Sequence, residues 1–314
     1  MANHTLLLLS QDNAEYQALL KQAYLPGLTI LAPSDEAGIQ AALSHADILL
    51  GEPQKLRERL PQAKALRWAQ STYAGVDALL HAECRQDYYL TNIKGIFGPL
   101  VSEYVFGHLL SLTRHLRHYK AQQRLHNWQP IPYESLQGKT MLIMGTGSIG
   151  QHIAHTAQHF GMSVLGISRS GREAAGFDHT YQLPALNNVL ARADVVVSVL
   201  PSTAQTRGLF NAERISHFKP GTIFFNIGRG DAVDEGALIQ ALRHGNIGAA
   251  VLDVFATEPL PVASPLWDMP NVVITPHNSG YSFPEQIVTR FSRNYLKYTT
   301  GKTLEGLVDF NLGY

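Results

Sequence analysis

The chain is short of everything that would tie it to an oxidising, membrane or nucleic-acid setting. One cysteine, Cys84, in 314 residues excludes an intramolecular disulfide and a cysteine-built zinc cluster, and favours a reducing compartment. Lys+Arg and Asp+Glu stand at 25 each, for a formal net charge of zero, so no broad field draws the protein to nucleic acid or to an anionic membrane surface. Long apolar runs are missing as well. The opening MANHTLLLLS has only four leucines in a row, no basic segment before them, and Gln11 and Asp12 just after. That is too short for a signal peptide or a membrane span, and reads as the first buried strand of a cytoplasmic protein. No internal repeat and no low-complexity segment is visible. Any charge chemistry is therefore local.

A hydrophobic share of 45% over 314 residues is enough for sizeable cores, and two domains are expected. In the first hundred residues short apolar runs (5–9, 28–31, 47–50 and 66–69) alternate with helix-like stretches (14–23 and 36–45), the mark of a parallel βα domain. Residues 99–122 read as one long helix, with Val101, Val105, Leu109, Leu112 and Leu116 at helical spacing. A linker with Pro130 and Pro132 follows. A second series of six apolar strands then runs 140–144, 163–167, 195–200, 222–226, 249–254 and 272–275, as a doubly wound dinucleotide fold requires. The fold class expected is α/β, with two doubly wound parallel-sheet domains. Residues 1–100 and 281–314, the latter with a helix near 284–299, would form one domain and residues 101–280 the other.

The chemistry begins at GTGSIG, residues 145–150, directly after the strand MLIM. Gly145 permits a tight turn, Gly147 lets the backbone approach a pyrophosphate, and Gly150 permits close helix packing; Ser148 and Ile149 open a helix whose N-terminus favours an anion. At NAD-selective sites an acidic residue about 20 positions further on accepts bonds from the ribose hydroxyls. Here the next strand ends in Ser168, Arg169, Ser170, Gly171 and Arg172, with no carboxylate until Glu173. Two guanidiniums and two hydroxyls suit a 2′-phosphate. NADP(H) is expected as the preferred coenzyme, with NAD(H) also possible.

Three further residues lie in short contexts downstream: Arg229 in NIGRG, Glu258 in DVFATEPL and His277 in TPHNSG. Reduction of a 2-oxo acid needs a cation for the carboxylate and a proton donor for the carbonyl oxygen. A guanidinium grips a carboxylate through paired hydrogen bonds. His277 follows a strand at the carboxyl end, where open α/β sheets place their ligands, and an imidazole gives or takes a proton near neutral pH. A glutamate beside it would orient the ring and raise its pKa. The catalytic candidates are Arg229, Glu258 and His277.

The segments GTGSIG, PSTAQTRGLFN, KPGTIFFNIGRGDAVDEGALIQAL, LDVFATEPLP and PHNSG resemble, in order and spacing, the D-isomer-specific 2-hydroxyacid dehydrogenase family, as do STYAGVD at 71–77 and the tail GKTLEGLVDFNLGY. The resemblance implies a substrate domain made from both chain ends, a coenzyme domain in the middle, and reaction in the cleft between them. It also implies that Arg229 binds the substrate carboxylate, His277 is the acid/base and Glu258 supports it. Backbone N–H groups at Ala74 and Gly75 would hold the carboxylate, with Tyr73 capping the same loop. Asp253 would lie near the nicotinamide amide, and Pro201, Thr206 and Ile227 on the coenzyme side. Ser168 stands where NAD-type members carry aspartate, and Arg169 follows it, as in members similar to glyoxylate and hydroxypyruvate reductases. Asn278, Ser279 and Gly280 replace the commoner small apolar residues.

The expected activity is NADPH-dependent reduction of a small 2-oxo acid such as glyoxylate or hydroxypyruvate. Competing readings are NAD-linked oxidation of a larger D-2-hydroxy acid, which suits Arg169 and Arg172 poorly, and a dinucleotide-sensing binding protein of the same fold. The partners expected are the small acid and a second copy of the chain, with no nucleic acid, membrane or metal. His152, His155 and His159 share one helix face, but Ile149, Ile153, Ala157 and Phe160 define the opposite, buried one, so the histidines read as a solvated face. His115, His118 and His126 have no neighbouring ligand set, and Trp68 and Trp267 read as core or interface aromatics.

Overall fold

The computed structural model describes residues 3–312. Gly313 and Tyr314, which close the GKTLEGLVDFNLGY segment, lie outside them, as do Met1 and Ala2. The chain forms two compact units, Met1–Ile96 with Ser282–Tyr314, and Phe97–Tyr281.

In the first unit the strands β1 (His4–Leu9), β2 (Leu28–Leu31), β3 (Ile48–Gly51), β4 (Trp68–Ser71) and β5 (Tyr89–Thr91) form one parallel sheet of order β2-β1-β3-β4-β5. The helices between them are α1 (Asn13–Gln22), α2 (Glu36–Leu43) and α3 (Pro53–Arg59). Leu6, Leu7 and Leu8 are fully buried, and so is β3, as continuous apolar strands in a sheet covered on both faces should be. Asp35 starts α2 by accepting the Gly38 N–H at 2.6 Å, a side-chain cap that stabilises a helix by about 1 kcal/mol. β5 was not visible as an apolar run, because three residues behind a polar stretch leave no periodic trace.

The tail is built into this unit. Trp68 lies flat on Phe291 of the C-terminal helix (Pro284–Thr299), with ring centroids 5.0 Å apart, while its indole N–H donates to Thr91 Oγ1 at 2.7 Å. Asn294, fully buried, donates to the Glu305 carbonyl and accepts the Glu305 N–H. Trp68 is thus core, as expected.

The second unit carries β6 (Thr140–Met144), β7 (Ser163–Ile167), β8 (His179–Tyr181), β9 (Val195–Ser198), β10 (Thr222–Asn226), β11 (Ile247–Leu252) and β12 (Val272–Ile274). They pair in parallel in the order β12-β11-β10-β9-β6-β7-β8. The sheet therefore has seven strands, where the sequence suggested six. The extra one, β8, is an edge strand of sequence HTY, too polar to register as an apolar run.

The long helix expected over 99–122 is two helices, α4 (Phe97–Thr113) and α5 (Leu116–Arg124). His115 lies between them in the left-handed region, at φ 54°. The apolar face gives out there: α4 buries Val101, Val105, Phe106 and Leu109, whereas α5 buries nothing. The remaining helices are α6 (Ser148–His159), α7 (Leu186–Leu190), α8 (Ala212–Ile215) and α9 (Glu235–Arg243). α4 packs closely on α6, since a Cβ at Gly98 would meet His152 Cβ at 2.9 Å. His152, His155 and His159 are exposed. Phe160, expected on the buried face, is 36% exposed and instead stacks on Phe106 at the helix end. Trp267, expected as a core or interface ring, is half exposed and donates its indole N–H to the Pro261 carbonyl. Among the described residues no helix is long and apolar enough to cross a membrane, and no group of three or more His, Cys, Asp or Glu is placed to hold a metal ion.

Candidate active site

Loops at the carboxyl ends of β6, β7, β10, β11 and β12 carry the candidate chemistry of the second unit. The first is shaped by what cannot be there. A Cβ on Gly150 would lie 2.0 Å from the Gly145 carbonyl oxygen, and one on Gly145, at φ 110°, would meet the Val199 side chain at 2.9 Å. Only glycine fits at both places. Gly147, by contrast, faces open space and precedes the first turn of α6. An exposed backbone at the positive end of a 12-residue helix is a fitting cradle for a pyrophosphate.

The end of β7 carries the next candidates. Ser168 N–H donates to the Tyr181 carbonyl, and the Ser168 hydroxyl accepts the Gly171 N–H at 3.1 Å. Gly171, at φ 63°, and the Thr180 hydroxyl, which bonds the Gly171 and Arg172 carbonyls, fold residues 168–172 into a tight loop. Arg169, Ser170 and Arg172 are exposed on it. Pro201 and Thr206 belong to one stapled turn, in which the Thr206 hydroxyl bonds the Pro201 carbonyl at 2.6 Å. Thr206 is thereby occupied in shaping the loop. Ile227 continues the ladder beyond β10 through its N–H to the Ser198 carbonyl.

Arg229 is positioned by the glycines on either side. A Cβ at Gly228 would lie 2.6 Å from the Leu200 nitrogen, and one at Gly230 would lie 1.9 Å from the Phe255 carbonyl carbon. The loop is wedged between backbones, with Arg229 itself extended and its carbonyl held by Asn226 Nδ2 at 3.0 Å. Its Nη1 donates to the Gly228 carbonyl at 2.7 Å. The guanidinium is near enough that its charge acts on both Glu258 and His277.

Glu258 Oε1 accepts the Phe255 N–H at 2.9 Å, and its Oε2 lies 2.9 Å from His277 Nδ1. A carboxylate only accepts, so Nδ1 carries a proton in either state of the ring. Nε2 is left as the atom that gains or loses the second proton. The bond to Glu258 raises the His277 pKa above its ordinary value, ahead of burial and the Arg229 charge, which oppose it. Burial pushes Glu258 upward, but the hydrogen bonds from His277 and the Phe255 N–H, with the His277 and Arg229 charges, hold it below its ordinary value overall. The pair favours imidazolium and carboxylate together.

The backbone at His277 is left-handed, at φ 52°, a conformation that costs a non-glycine residue roughly 1–3 kcal/mol unless its surroundings enforce it. The enforcing group is Asp253. Fully buried, it accepts the Thr275 hydroxyl at 2.6 Å, the Asn278 N–H at 2.9 Å and the Ser279 N–H at 2.9 Å, while its own carbonyl takes the His277 N–H. Asp253 therefore shapes the histidine loop, a task that the sequence did not disclose. Nor did it disclose Thr275 or Tyr104, whose hydroxyls lie 2.6 Å apart.

Tyr73, Ala74 and Gly75 belong to the first unit. There the carbonyls of Thr72, Tyr73 and Ala74 are taken by Ser282 Oγ, Ser71 Oγ and Asn92 Nδ2. This fixes the loop after β4, with Tyr73 about half exposed.

Known proteins resemble the chain along most of its length. Residues 106–279 match the family description "D-isomer specific 2-hydroxyacid dehydrogenase, NAD binding domain". A glyoxylate/hydroxypyruvate reductase A from Serratia proteamaculans is 32% identical over 266 residues, spanning 82% of this chain and 84% of the relative. A crystal structure of a D-isomer specific 2-hydroxyacid dehydrogenase family protein from Aeromonas salmonicida superposes with a TM-score of 0.94 at 60% identity, covering 98% of this chain and 100% of the other. The NADPH-dependent glyoxylate/hydroxypyruvate reductase of Sinorhizobium meliloti, solved with NADP and sulfate, superposes with a TM-score of 0.88 at 31% identity, covering 99% and 100%.

Proposed function

The chain belongs to the D-isomer-specific 2-hydroxyacid dehydrogenase family, and from that premise we propose that it reduces a small 2-oxo acid of the glyoxylate or hydroxypyruvate kind, with NADPH as its preferred coenzyme. The observation that carries the reading is the His277–Glu258 pair within reach of the Arg229 charge. When bound, the coenzyme supplies the hydride. The protein's residues do the rest. Gly147 and the first turn of α6 hold the pyrophosphate, and Ser168, Arg169, Ser170 and Arg172 hold the 2′-phosphate, where an aspartate would repel it. Arg229 binds the substrate carboxylate and orients it. His277 gives the Nε2 proton to the carbonyl oxygen in reduction and takes it back in oxidation, while Glu258 keeps the ring turned and protonated.

For Tyr73, Ala74 and Gly75 the proposed task is to bind a carboxylate through backbone N–H groups. Asp253, Pro201, Thr206 and Ile227 are assigned to the coenzyme side, Asp253 and Thr206 chiefly by shaping their loops. We also propose a cytoplasmic homodimer joined through the second unit, where Leu125 and Trp128 are 77% and 98% exposed.

The test is a turnover panel of glyoxylate, hydroxypyruvate, pyruvate and phenylpyruvate with both coenzymes. The proposal expects oxidation of NADPH that depends on the 2-oxo acid, with kcat/KM above that for NADH. Equal or better use of NADH would overturn the coenzyme assignment. NADPH binding without turnover on any of the acids would favour the dinucleotide-sensing alternative.

A further inference from the structure

We infer that Tyr104, on α4, is a positioning residue for His277, acting through the Thr275 hydroxyl and the Asp253 carboxylate rather than by touching substrate. The inference rests on the reading of His277 as the acid/base.

The direction of the hydrogen bonds follows from their end point. Asp253 Oδ1 accepts the Thr275 hydroxyl at 2.6 Å, and a carboxylate has no proton to return. The one Thr275 proton is thereby committed, so the 2.6 Å contact with Tyr104 is Tyr104 O–H donating to Thr275 Oγ1. A chain of donors thus runs from a half-buried tyrosine on α4, through Thr275, to a carboxylate with no exposed surface. The ring of Tyr104 is fixed in turn by an edge contact with His108, with centroids 4.5 Å apart. Burial raises the Tyr104 pKa despite the Thr275 bond, which keeps the phenol a donor throughout the working range.

The carboxylate at the end of the chain does unusual duty. Its two oxygens take Thr275 on one side of His277 and the N–H groups of Asn278 and Ser279 on the other. The left-handed His277 is the crest of a loop folded around one charged group. Thr275 is the only side chain among those three donors, and its hydroxyl also meets the Tyr104 hydroxyl at 2.6 Å. Chains of this kind polarise and align their members, so removing the outermost donor loosens the arm that presents His277 to Glu258. The charged groups acting on His277 are Glu258, Arg229 and Asp253, and the first needs the tightest geometry.

The experiment is an NMR titration of the His277 ring in the full-length protein, run beside steady-state reduction. Tyr104→Phe keeps the ring and loses only the donor. It should lower the His277 midpoint and reduce kcat about threefold to tenfold, with the KM for NADPH unchanged. Thr275→Val should do the same or more, and the double variant should equal Thr275→Val alone, because both lie on one path. Thr275→Ser, which keeps the hydroxyl, should titrate near the parent value. If Thr275→Val does not fold, Tyr104→Phe and Thr275→Ser still decide the matter.

A Tyr104→Phe midpoint equal to the parent's overturns the inference, as do effects of Tyr104→Phe and Thr275→Val that add independently. A merely structural tyrosine would lower Tm and leave the titration in place. Absence of 2-oxo acid turnover in the parent protein counts against the functional reading, while the titration still decides the role of Tyr104.

Discussion

The turn after β6 and the turn after β12 leave the carboxyl ends of the same parallel sheet, yet opposite means hold them. Around Gly145 and Gly150 the backbone is fixed by the absence of side chains, because a Cβ at either position would strike a neighbour at 2.9 Å or less. Around His277 it is fixed by side chains, with Asp253 gathering three donors and Glu258 a fourth. The difference suits the two tasks proposed for them. A pyrophosphate needs bare N–H groups and close approach, which glycine provides, whereas a proton donor needs one atom held in one place with its pKa set. In this account the first loop binds and the second reacts, and changes in one should leave the other's property alone.

The largest effect that would break this division is expected from His277→Gln. It should lower kcat by about 10²- to 10⁴-fold, the range for losing a general acid, while the NADPH Kd from fluorescence titration stays within about twofold. Loss of coenzyme affinity on the same scale would merge the two loops into one device. Gly150→Ala is the converse. A methyl 2.0 Å from the Gly145 carbonyl must displace the turn, at a cost of about 1–3 kcal/mol. NADPH binding should weaken and Tm fall, and any turnover that remains should keep the parent pH profile. Arg169→Ala sharpens the comparison more gently. It should reduce kcat/KM for NADPH by about tenfold, the scale of one charge-assisted hydrogen bond, and leave NADH nearly unchanged. An equal loss with both coenzymes would show that Arg169 does not read the 2′-phosphate.

The same contrast explains what could be read from the sequence. Glycine rules are local, so a strand followed by GTGSIG specifies the turn before any coordinates are known. Arg229, Glu258 and His277 were found by residue type and resemblance, and the long buried strands of both sheets by their apolar runs. What escaped was of two kinds. Short polar strands such as Tyr89–Thr91 and His179–Tyr181 owe their state to a neighbouring strand, and nothing in their own composition announces it. Contacts between distant residues escaped for the same reason: Tyr104 and Thr275 are 171 positions apart. The break at His115 belongs here too, since the helical spacing of Leu109, Leu112 and Leu116 continues through a point where the buried surface stops.

The account depends most on a protonated His277 sustained by Glu258, and the dependence of kcat on pH tests this directly. In reduction the imidazolium is consumed, so activity should hold below the raised His277 pKa and fall as pH climbs through it; in oxidation the dependence inverts. Because the Glu258 bond is the leading cause of the raised value, Glu258→Gln should move the falling limb of the reduction profile to lower pH. The account predicts a parent limb above the ordinary histidine value of about 6.5 and a downward displacement in the variant. A limb that stays in place, or a reduction rate that rises with pH across this window, would contradict it.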